Sequence, residues 1–430
     1  MSSSIVTRVR WAWRSLVIRS GIPAARDRAA FARAFPGAAA ADTHVLLVAP
    51  GAGNVGDQAL FESFVEGTTG HISVVARRID DVAIPPAHAD RITVITMPEL
   101  VYGMGGAHRR EVAELARLLA RAFDFSIVGA DIMDGRYVLR ASVNRSVVAG
   151  AAAEAGIPTR ILGFSWNGSA RPPARRALVA ASRSGAVPLL RDPVSLRRAE
   201  NDGVTGAVLV ADIVFTAASV DPTWAEEYAT SAPLAIVNVS GLISDGVDQT
   251  AEYAEIIDQL RDGGYEVLLL PHVSRSSADD VVACQAVRER VGPERVRMAS
   301  TLPTPAQVRG LTAIADVVVT GRMHLAIMSL WNGTPAITLA TQGKVEGLME
   351  LMSAPELCVA PEPGFGAVVV SALRAILPAG SPTRAAIGAA LPRVIELAQG
   401  NLNGLARPEE GLSGPLPASA GAAARGLPLL

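Results

Sequence analysis

Two α/β domains in tandem, each an open parallel sheet flanked by helices, are what this 430-residue sequence predicts. Three observations lead there. From His44 onward, short β-rich runs alternate with longer helical patterns, the mark of βα units that build parallel sheets. The rhythm breaks once, at the polar, proline-containing stretch 217–233, and then resumes. The length also exceeds what one hydrophobic core normally organises. Two such Rossmann-like sheets leave an interdomain cleft, and ligands of open α/β sheets bind outside the carboxyl ends of the strands.

The first series of strands is predicted at His44–Ala49, Ile72–Ala76, Ile92–Thr96, Phe125–Gly129, Arg160–Phe164, Val187–Arg191 and Ala207–Val210. Between them lie helical patterns. Over Arg109–Phe123, for instance, Val112, Leu115, Leu118 and Leu119 share one face, as on a helix lying against a sheet. The second series comprises Leu234–Val239, Glu266–Leu270, Val296–Met298, Ala315–Thr320 and Ala336–Leu339. The resulting division is a leader at 1–40, a first domain at 41–216, a linker at 217–233, a second domain at 234–400 and a tail at 401–430. The tail, rich in Gly, Pro, Ala and Ser, has too little apolar surface to offset the entropy of ordering and is expected to be disordered.

Composition removes several classes of function. Half the residues are apolar, but they are scattered in short runs, and none approaches the ~20 residues of a spanning helix. A net charge of −2 provides no basic field for nucleic acid. Two cysteines, Cys284 and Cys358, are too few for a disulfide framework and match no zinc spacing, so the chain reads as cytoplasmic. The leader differs from the rest. Arg8, Arg10, Arg14, Arg19, Arg26, Arg28 and Arg33 are interleaved with Trp11, Trp13, Leu16 and Val17, and no acid precedes Asp27. Arg10 and Arg14 interrupt any secretory core. Two readings stand: residues 1–35 rest on the inner, anionic face of a membrane, or they pack on the first domain.

The strand ends carry the chemistry. After the first strand, Gly51-Ala-Gly53-Asn54-Val-Gly56-Asp57 satisfies G-x-G-x-x-G, and glycines there let the backbone approach an anion at a helix start. Arg77-Arg78 would even suit an NADP phosphate. Asp57, however, would repel a pyrophosphate at that point. Asn54 and Asp57 therefore suit sugar hydroxyls, with Asp57 as a helix cap the plainer alternative. Asp131 and Asp134 follow a buried strand and suit hydroxyls or a divalent metal, although Asp before Gly is also ordinary turn chemistry. Ser165-Trp166-Asn167 offers a hydroxyl, an indole and an amide. Arg191-Asp192 places a guanidinium fork beside a capping carboxylate. In the second series, Asn238-Val-Ser240 follows one strand and Pro271-His272 another. Thr320-Gly-Arg322-Met-His324 brings a permanent cation and an imidazole to a strand-to-helix turn. Lys344 is the single lysine of a chain that otherwise uses arginine, which marks a place where an ammonium is hard to replace.

In their order and spacing these segments resemble the polysaccharide pyruvyl transferase family from roughly His44 to Met349. The matching pieces are Gly53-Asn54-Val-Gly56-Asp57-Gln-Ala-Leu60, the Asp131 loop, Arg191-Asp192 with Ser195, Asn238-Val-Ser240, Leu270-Pro271-His272, Thr320-Gly-Arg322-Met-His324, and Gly333-Thr-Pro335 leading to Lys344-Val-Glu-Gly347-Leu-Met349. The resemblance implies a glycosyltransferase-B-like arrangement of the two domains. It also implies transfer of pyruvate from phosphoenolpyruvate to two hydroxyls of a sugar, forming a cyclic ketal on a cell-surface polysaccharide or a lipid-linked precursor. Phosphoenolpyruvate enters as co-substrate, with no cofactor and no metal assigned. Arg191, Arg322 and Lys344 are then expected to bind phosphoenolpyruvate, and Asn54, Asp131 and Asn167 the acceptor. His324 is expected as proton donor, with His272 or Asp57 as base. Two other functions fit the same residues in part: a glycosyltransferase using a nucleotide sugar, and a noncatalytic glycan-binding scaffold. The scaffold has no need of Arg322, His324 and Lys344 together.

Overall fold

The computed structural model describes residues 21–39, 42–243, 247–275, 279–340 and 343–405. Its contacts divide the chain into two units. The first unit takes in residues up to Ala52, then Leu60–Ile213 and Leu397–Asn401. The second takes in Gly53–Ala59, Val214–Glu396 and the residues from Leu402 onward.

The first unit is built on a seven-stranded sheet in the order β3-β2-β1-β4-β5-β6-β7. Its strands are β1 (Thr43–Leu47), β2 (His71–Ala76), β3 (Ile92–Thr96), β4 (Ala122–Ala130), β5 (Thr159–Phe164), β6 (Val187–Leu190) and β7 (Val208–Leu209). Every pairing is parallel. Central strands of such a sheet are covered on both faces, which is why Val45 and Leu46 of β1 and Phe125 and Ile127 of β4 are all fully buried. The predicted helix at 109–123 runs instead from Gly105 to Leu119. Val112, Leu115 and Leu119 do face the core, while Ala122 and Phe123 already belong to β4.

The second unit holds a six-stranded parallel sheet in the order β10-β9-β8-β11-β12-β13. These strands are β8 (Leu234–Asn238), β9 (Glu266–Leu269), β10 (Val296–Met298), β11 (Val317–Thr320), β12 (Ala336–Leu339) and β13 (Cys358–Val359). Among the described residues, β13 is the strand that the sequence pattern does not predict. In both sheets the strand order reverses beside the first strand of the series, at β1/β4 and at β8/β11. Such switch points are where open α/β sheets bind ligands.

Three stretches differ from the sequence-based division. Part of the leader, Ile22–Ala34, is a helix of the first unit. Phe31 is buried, and Asp27, also buried, lies 3.2 Å from His108 Nε2 of the helix Gly105–Leu119. Residues 1–20 lie outside the described residues. The stretch 217–233 contains the helix Thr223–Tyr228 and is held within the second unit. There the buried Arg309 donates from Nε to the Ser219 carbonyl at 2.6 Å and from Nη2 to Ser219 Oγ at 2.9 Å. A proline-containing, polar segment thus resembles a linker in composition while its backbone satisfies a buried guanidinium.

The third stretch is the start of the tail. Asn401 is fully buried. Its Oδ1 accepts from Gly163 N at 2.7 Å, and its Nδ2 donates to the carbonyls of Ala211 and Ala398 at 2.9 and 2.8 Å. This one amide ties the end of β5 to the segment after β7. The rest of the tail is outside the described residues.

Candidate active site at the switch point of the second sheet

His272 follows β9, Arg322 and His324 follow β11, and Lys344 follows β12. The three strands are parallel, and with β8 they occupy adjacent places in the sheet. Their carboxyl ends therefore share one edge. Gly53–Ala59, assigned to this same unit, meets that edge.

Asp280 holds the edge together. It is fully buried at the start of the helix Asp280–Val291. Its Oδ2 accepts from the backbone amides of His272 (3.1 Å) and Val273 (3.0 Å) and from Asn238 Nδ2 (3.0 Å). Its Oδ1 accepts from Gly241 N at 3.0 Å and from Arg322 Nη2 at 2.5 Å. Arg322 Nε adds contacts of 3.1 Å to both oxygens. A buried carboxylate tolerates the loss of water only when paired and fully hydrogen-bonded, and Asp280 is both. Asn238 extends the network, with its Oδ1 accepting from Thr320 Oγ1 at 3.1 Å and Thr320 Oγ1 accepting from Arg322 N at 2.9 Å.

This arrangement corrects the expected role of Arg322. The guanidinium is only 9% exposed and lies against Asp280, so its charge is balanced within the protein rather than offered outward. Arg191 is corrected in the same way. It is 2% exposed in the first unit, with Nη1 donating to Asp212 Oδ2 at 2.8 Å and Nε to Ser165 Oγ at 2.8 Å. Its neighbour Asp192 caps the following helix as expected, accepting from Ser195 N at 2.6 Å.

His272 is 1% exposed, and neither ring nitrogen has a hydrogen-bond partner among the described residues. Burial, then the neighbouring His324 and Arg322, push its pKa well below the ordinary 6.5, so the ring is neutral at neutral pH. The unfolded chain takes up that proton at higher pH than the folded one. Stability therefore falls as pH drops below about 6.5. His324 begins the helix Met323–Trp331 and is partly exposed.

The glycine loop packs on these residues. Val55 N donates to the His272 carbonyl at 3.2 Å, and Asn54 forms a backbone bridge with Val273. Gly53, at φ +70°, could not carry a side chain, since a Cβ would sit 2.4 Å from the Ser274 carbonyl. A Cβ on Gly56 would lie 2.3 Å from His324 Nδ1. The glycines thus serve contact with two loops of the second unit. Arg77 and Arg78 likewise pair with Asp81 and Asp80.

Asn54, not Asp57, caps the helix Val55–Glu66, its Oδ1 accepting from Gly56 N at 2.9 Å. Asp57 sits in the first turn, where Oδ2 accepts from Asn54 Nδ2 at 2.8 Å and from Arg275 Nη2 at 3.2 Å. Asp280 and Arg275 are the residues that sequence reasoning missed. Asp279-Asp280 reads locally as two acids at a helix start, and Arg275 sits in an unpatterned loop. We expect Gly56→Ala to keep the fold but lower turnover by roughly 10²-fold, because the imidazole must shift by about an ångström. Steady-state kinetics beside a circular dichroism melt would check this.

The remaining predicted residues are Lys344, Asp131 and Asn167. Lys344, partly exposed, opens the helix Val345–Leu351 in the second unit. Asp131 and Asn167 follow β4 and β5 in the first. Tyr137 OH donates to Asp131 Oδ2 at 3.1 Å, and Asn167 Oδ1 accepts from Ser169 N at 2.8 Å. Ala130, just before Asp131, adopts φ +45°, a conformation costing about 1 kcal/mol or more for a residue with a Cβ. Trp166 is fully buried, its Nε1 bonded to Asp202 at 2.8 Å, so it packs and offers no sugar platform. Among the described residues no group of three or more His, Cys, Asp or Glu side chains is placed to hold a metal.

The sequence pattern of polysaccharide pyruvyl transferases matches residues 54–343, from the helix-capping asparagine to the turn before Lys344. The chain belongs to the polysaccharide pyruvyl transferase family. As such it is a transferase acting on polysaccharide. No curated protein matches it in sequence. Several solved structures share its fold. UDP-GlcNAc 2-epimerase from Methanocaldococcus jannaschii is similar with a TM-score of 0.52 at 10% identity, over 82% of this chain and 98% of that one. A glycosyltransferase from Rickettsia africae ESF-5 gives 0.51 at 12% identity, over 85% and 99%. UDP-GlcNAc 2-epimerase from Neisseria meningitidis bound to UDP-GlcNAc gives 0.52 at 10%, over 83% and 97%. The likeness places the chain in the two-domain α/β, glycosyltransferase-B-like fold class. Among the described residues no helix is long and apolar enough to cross a membrane.

Proposed function

We propose that the protein transfers pyruvate from phosphoenolpyruvate to two hydroxyls of a sugar, forming a cyclic ketal on a cell-surface polysaccharide or its lipid-linked precursor. The observation that carries this reading is the meeting of His324, His272 and the Asn54–Asp57 turn at one strand-end edge, in a chain of this family.

Differences in access support the following roles. His324 is partly exposed, and the Asp57 side chain is 14% exposed, whereas His272 is 1% exposed. Protonated His324 donates to carbon 3 of the enol as one sugar oxygen bonds to carbon 2, and Asp57 takes that hydroxyl's proton. The second hydroxyl then attacks carbon 2, the bond to the phosphate oxygen breaks, and the departing phosphate carries away the second hydroxyl's proton. Asp57 returns its proton to His324 by way of solvent, so the cycle balances. His272 lies behind His324 as a neutral ring, keeping a second positive charge away from it. Lys344 supplies positive potential for the phosphoenolpyruvate anion, while Arg322, paired with Asp280, keeps the strand-end edge in shape. In the second unit Asn54 serves the acceptor through its hold on Asp57; Asp131 and Asn167, in the first, are assigned to the acceptor on the family resemblance alone.

The test is phosphate release from phosphoenolpyruvate, with and without an acceptor glycan, alongside thermal shifts with phosphoenolpyruvate and nucleotide sugars. We expect stabilisation by phosphoenolpyruvate and acceptor-dependent phosphate release, with pyruvate retained on the glycan. Release of a nucleoside diphosphate from a nucleotide sugar, with no response to phosphoenolpyruvate, would replace this reading with glycosyl transfer.

A further inference from the structure

A chain of net charge −2 concentrates positive charge in one crevice of the first unit. The crevice, of about 610 Å³, runs between the helices Ile22–Ala34 and Gly105–Leu119 and is walled by Arg33, Arg109, Arg110 and Arg117. Glu114 is its one acidic member. Among the described residues none of the four arginines forms an ion pair or side-chain hydrogen bond with a carboxylate. Glu111, on the same helix, is engaged elsewhere, accepting from Glu99 N at 2.7 Å. The floor includes Ala30 and Gly106, which have no side chain long enough to keep a bulky anion out. Arg121, exposed just beyond Arg117, extends the basic surface into an adjoining crevice.

Four unpaired guanidinium groups crowded on an otherwise slightly acidic protein repel one another, and fork-shaped donors of this kind match phosphate oxygens. We propose that this arginine crevice docks the protein on an anionic phospholipid surface, seating a headgroup phosphate between the two helices. The favoured partner is a membrane rather than a soluble polyanion because of what adjoins the crevice in sequence. The helix Ile22–Ala34 is preceded by Arg8, Arg10, Arg14 and Arg19 interleaved with Trp11 and Trp13, and indoles beside arginines suit the headgroup interface. The buried Asp27–His108 contact and Phe31 fasten that helix to the unit bearing the crevice. The proposal is independent of the donor chemistry, and would place a glycan-modifying enzyme where lipid-linked acceptors reside.

The test is co-sedimentation of the full chain with vesicles of phosphatidylcholine alone or mixed with phosphatidylglycerol, at low and high salt. We expect binding to the mixed vesicles only, weakened by salt. Neutralising the crevice with Arg109→Gln, Arg110→Gln and Arg117→Gln together should weaken binding about a hundredfold, on the order of fivefold per arginine. The variant's melting midpoint and its response to phosphoenolpyruvate should stay as in the wild type. A second full-length variant, Arg8→Gln, Arg10→Gln, Arg14→Gln and Arg19→Gln, separates the leader from the crevice. If that variant alone loses binding and the crevice variant binds normally, the crevice has no such role. Equal binding to neutral vesicles, or binding to heparin without binding to vesicles, would overturn the proposal as well.

Discussion

Asp280→Ala should destabilise the second unit by about 3–5 kcal/mol, the cost of stripping one partner from a buried ion pair and leaving the other uncompensated. Arg322 would keep a charge that is 9% exposed, and the amides of His272, Val273 and Gly241 would lose their acceptor together. At the usual slope for a unit of this size the melting midpoint falls by roughly 10 °C. A thermal melt reads this directly. The double variant Asp280→Leu with Arg322→Met should be less destabilised than the sum of the single changes, because removing both charges leaves none buried alone. A midpoint within a degree of wild type for Asp280→Ala would mean that the carboxylate does not organise this edge.

His324→Ala should lower turnover by about 10²–10⁴-fold, the usual worth of a general acid, while phosphoenolpyruvate still stabilises the protein against heat. The side chain is partly exposed and only its ring is removed, so the fold should survive. Single-turnover kinetics with an acceptor glycan, read beside a phosphoenolpyruvate titration, separates chemistry from binding. Near-normal turnover would take His324 out of the proton-donor role and move attention to Asp57. Loss of donor binding with normal turnover at saturation would make it a binding group instead.

The two changes probe one construction at different depths. Asp280 lies inside and holds backbone and guanidinium in place, and His324 stands at the surface of that construction, with its ring against Gly56. A site held to within an ångström needs such support, since a loosely mounted acid loses most of its advantage. The deep residue should therefore act mainly on stability and the outer one mainly on rate.

Features set by near neighbours were legible in the sequence. Alternation of apolar runs and helical patterns placed twelve of the thirteen strands among the described residues, because both faces of a parallel sheet must be covered and the chain records this locally. Asp192 as a cap, three residues from Ser195, and the turn Thr320-Gly-Arg322-Met-His324 before a helix could be read for the same reason. Asn401 could not. Its composition-poor surroundings signal a tail, and its burial depends on Gly163, 238 residues earlier.

By itself, then, the sequence determined the two-sheet architecture, the family and the strand ends at which the chemistry-bearing residues appear. What only the tertiary structure decided is which of their charges face outward. Arg191 and Arg322 look alike in sequence to any exposed anion-binding fork, yet each is neutralised by an acid 21 or 42 residues away, brought close by the packing of helices on strands. The pairing of a buried charge is a long-range property. Desolvation makes it compulsory, but nothing in the local pattern names the partner.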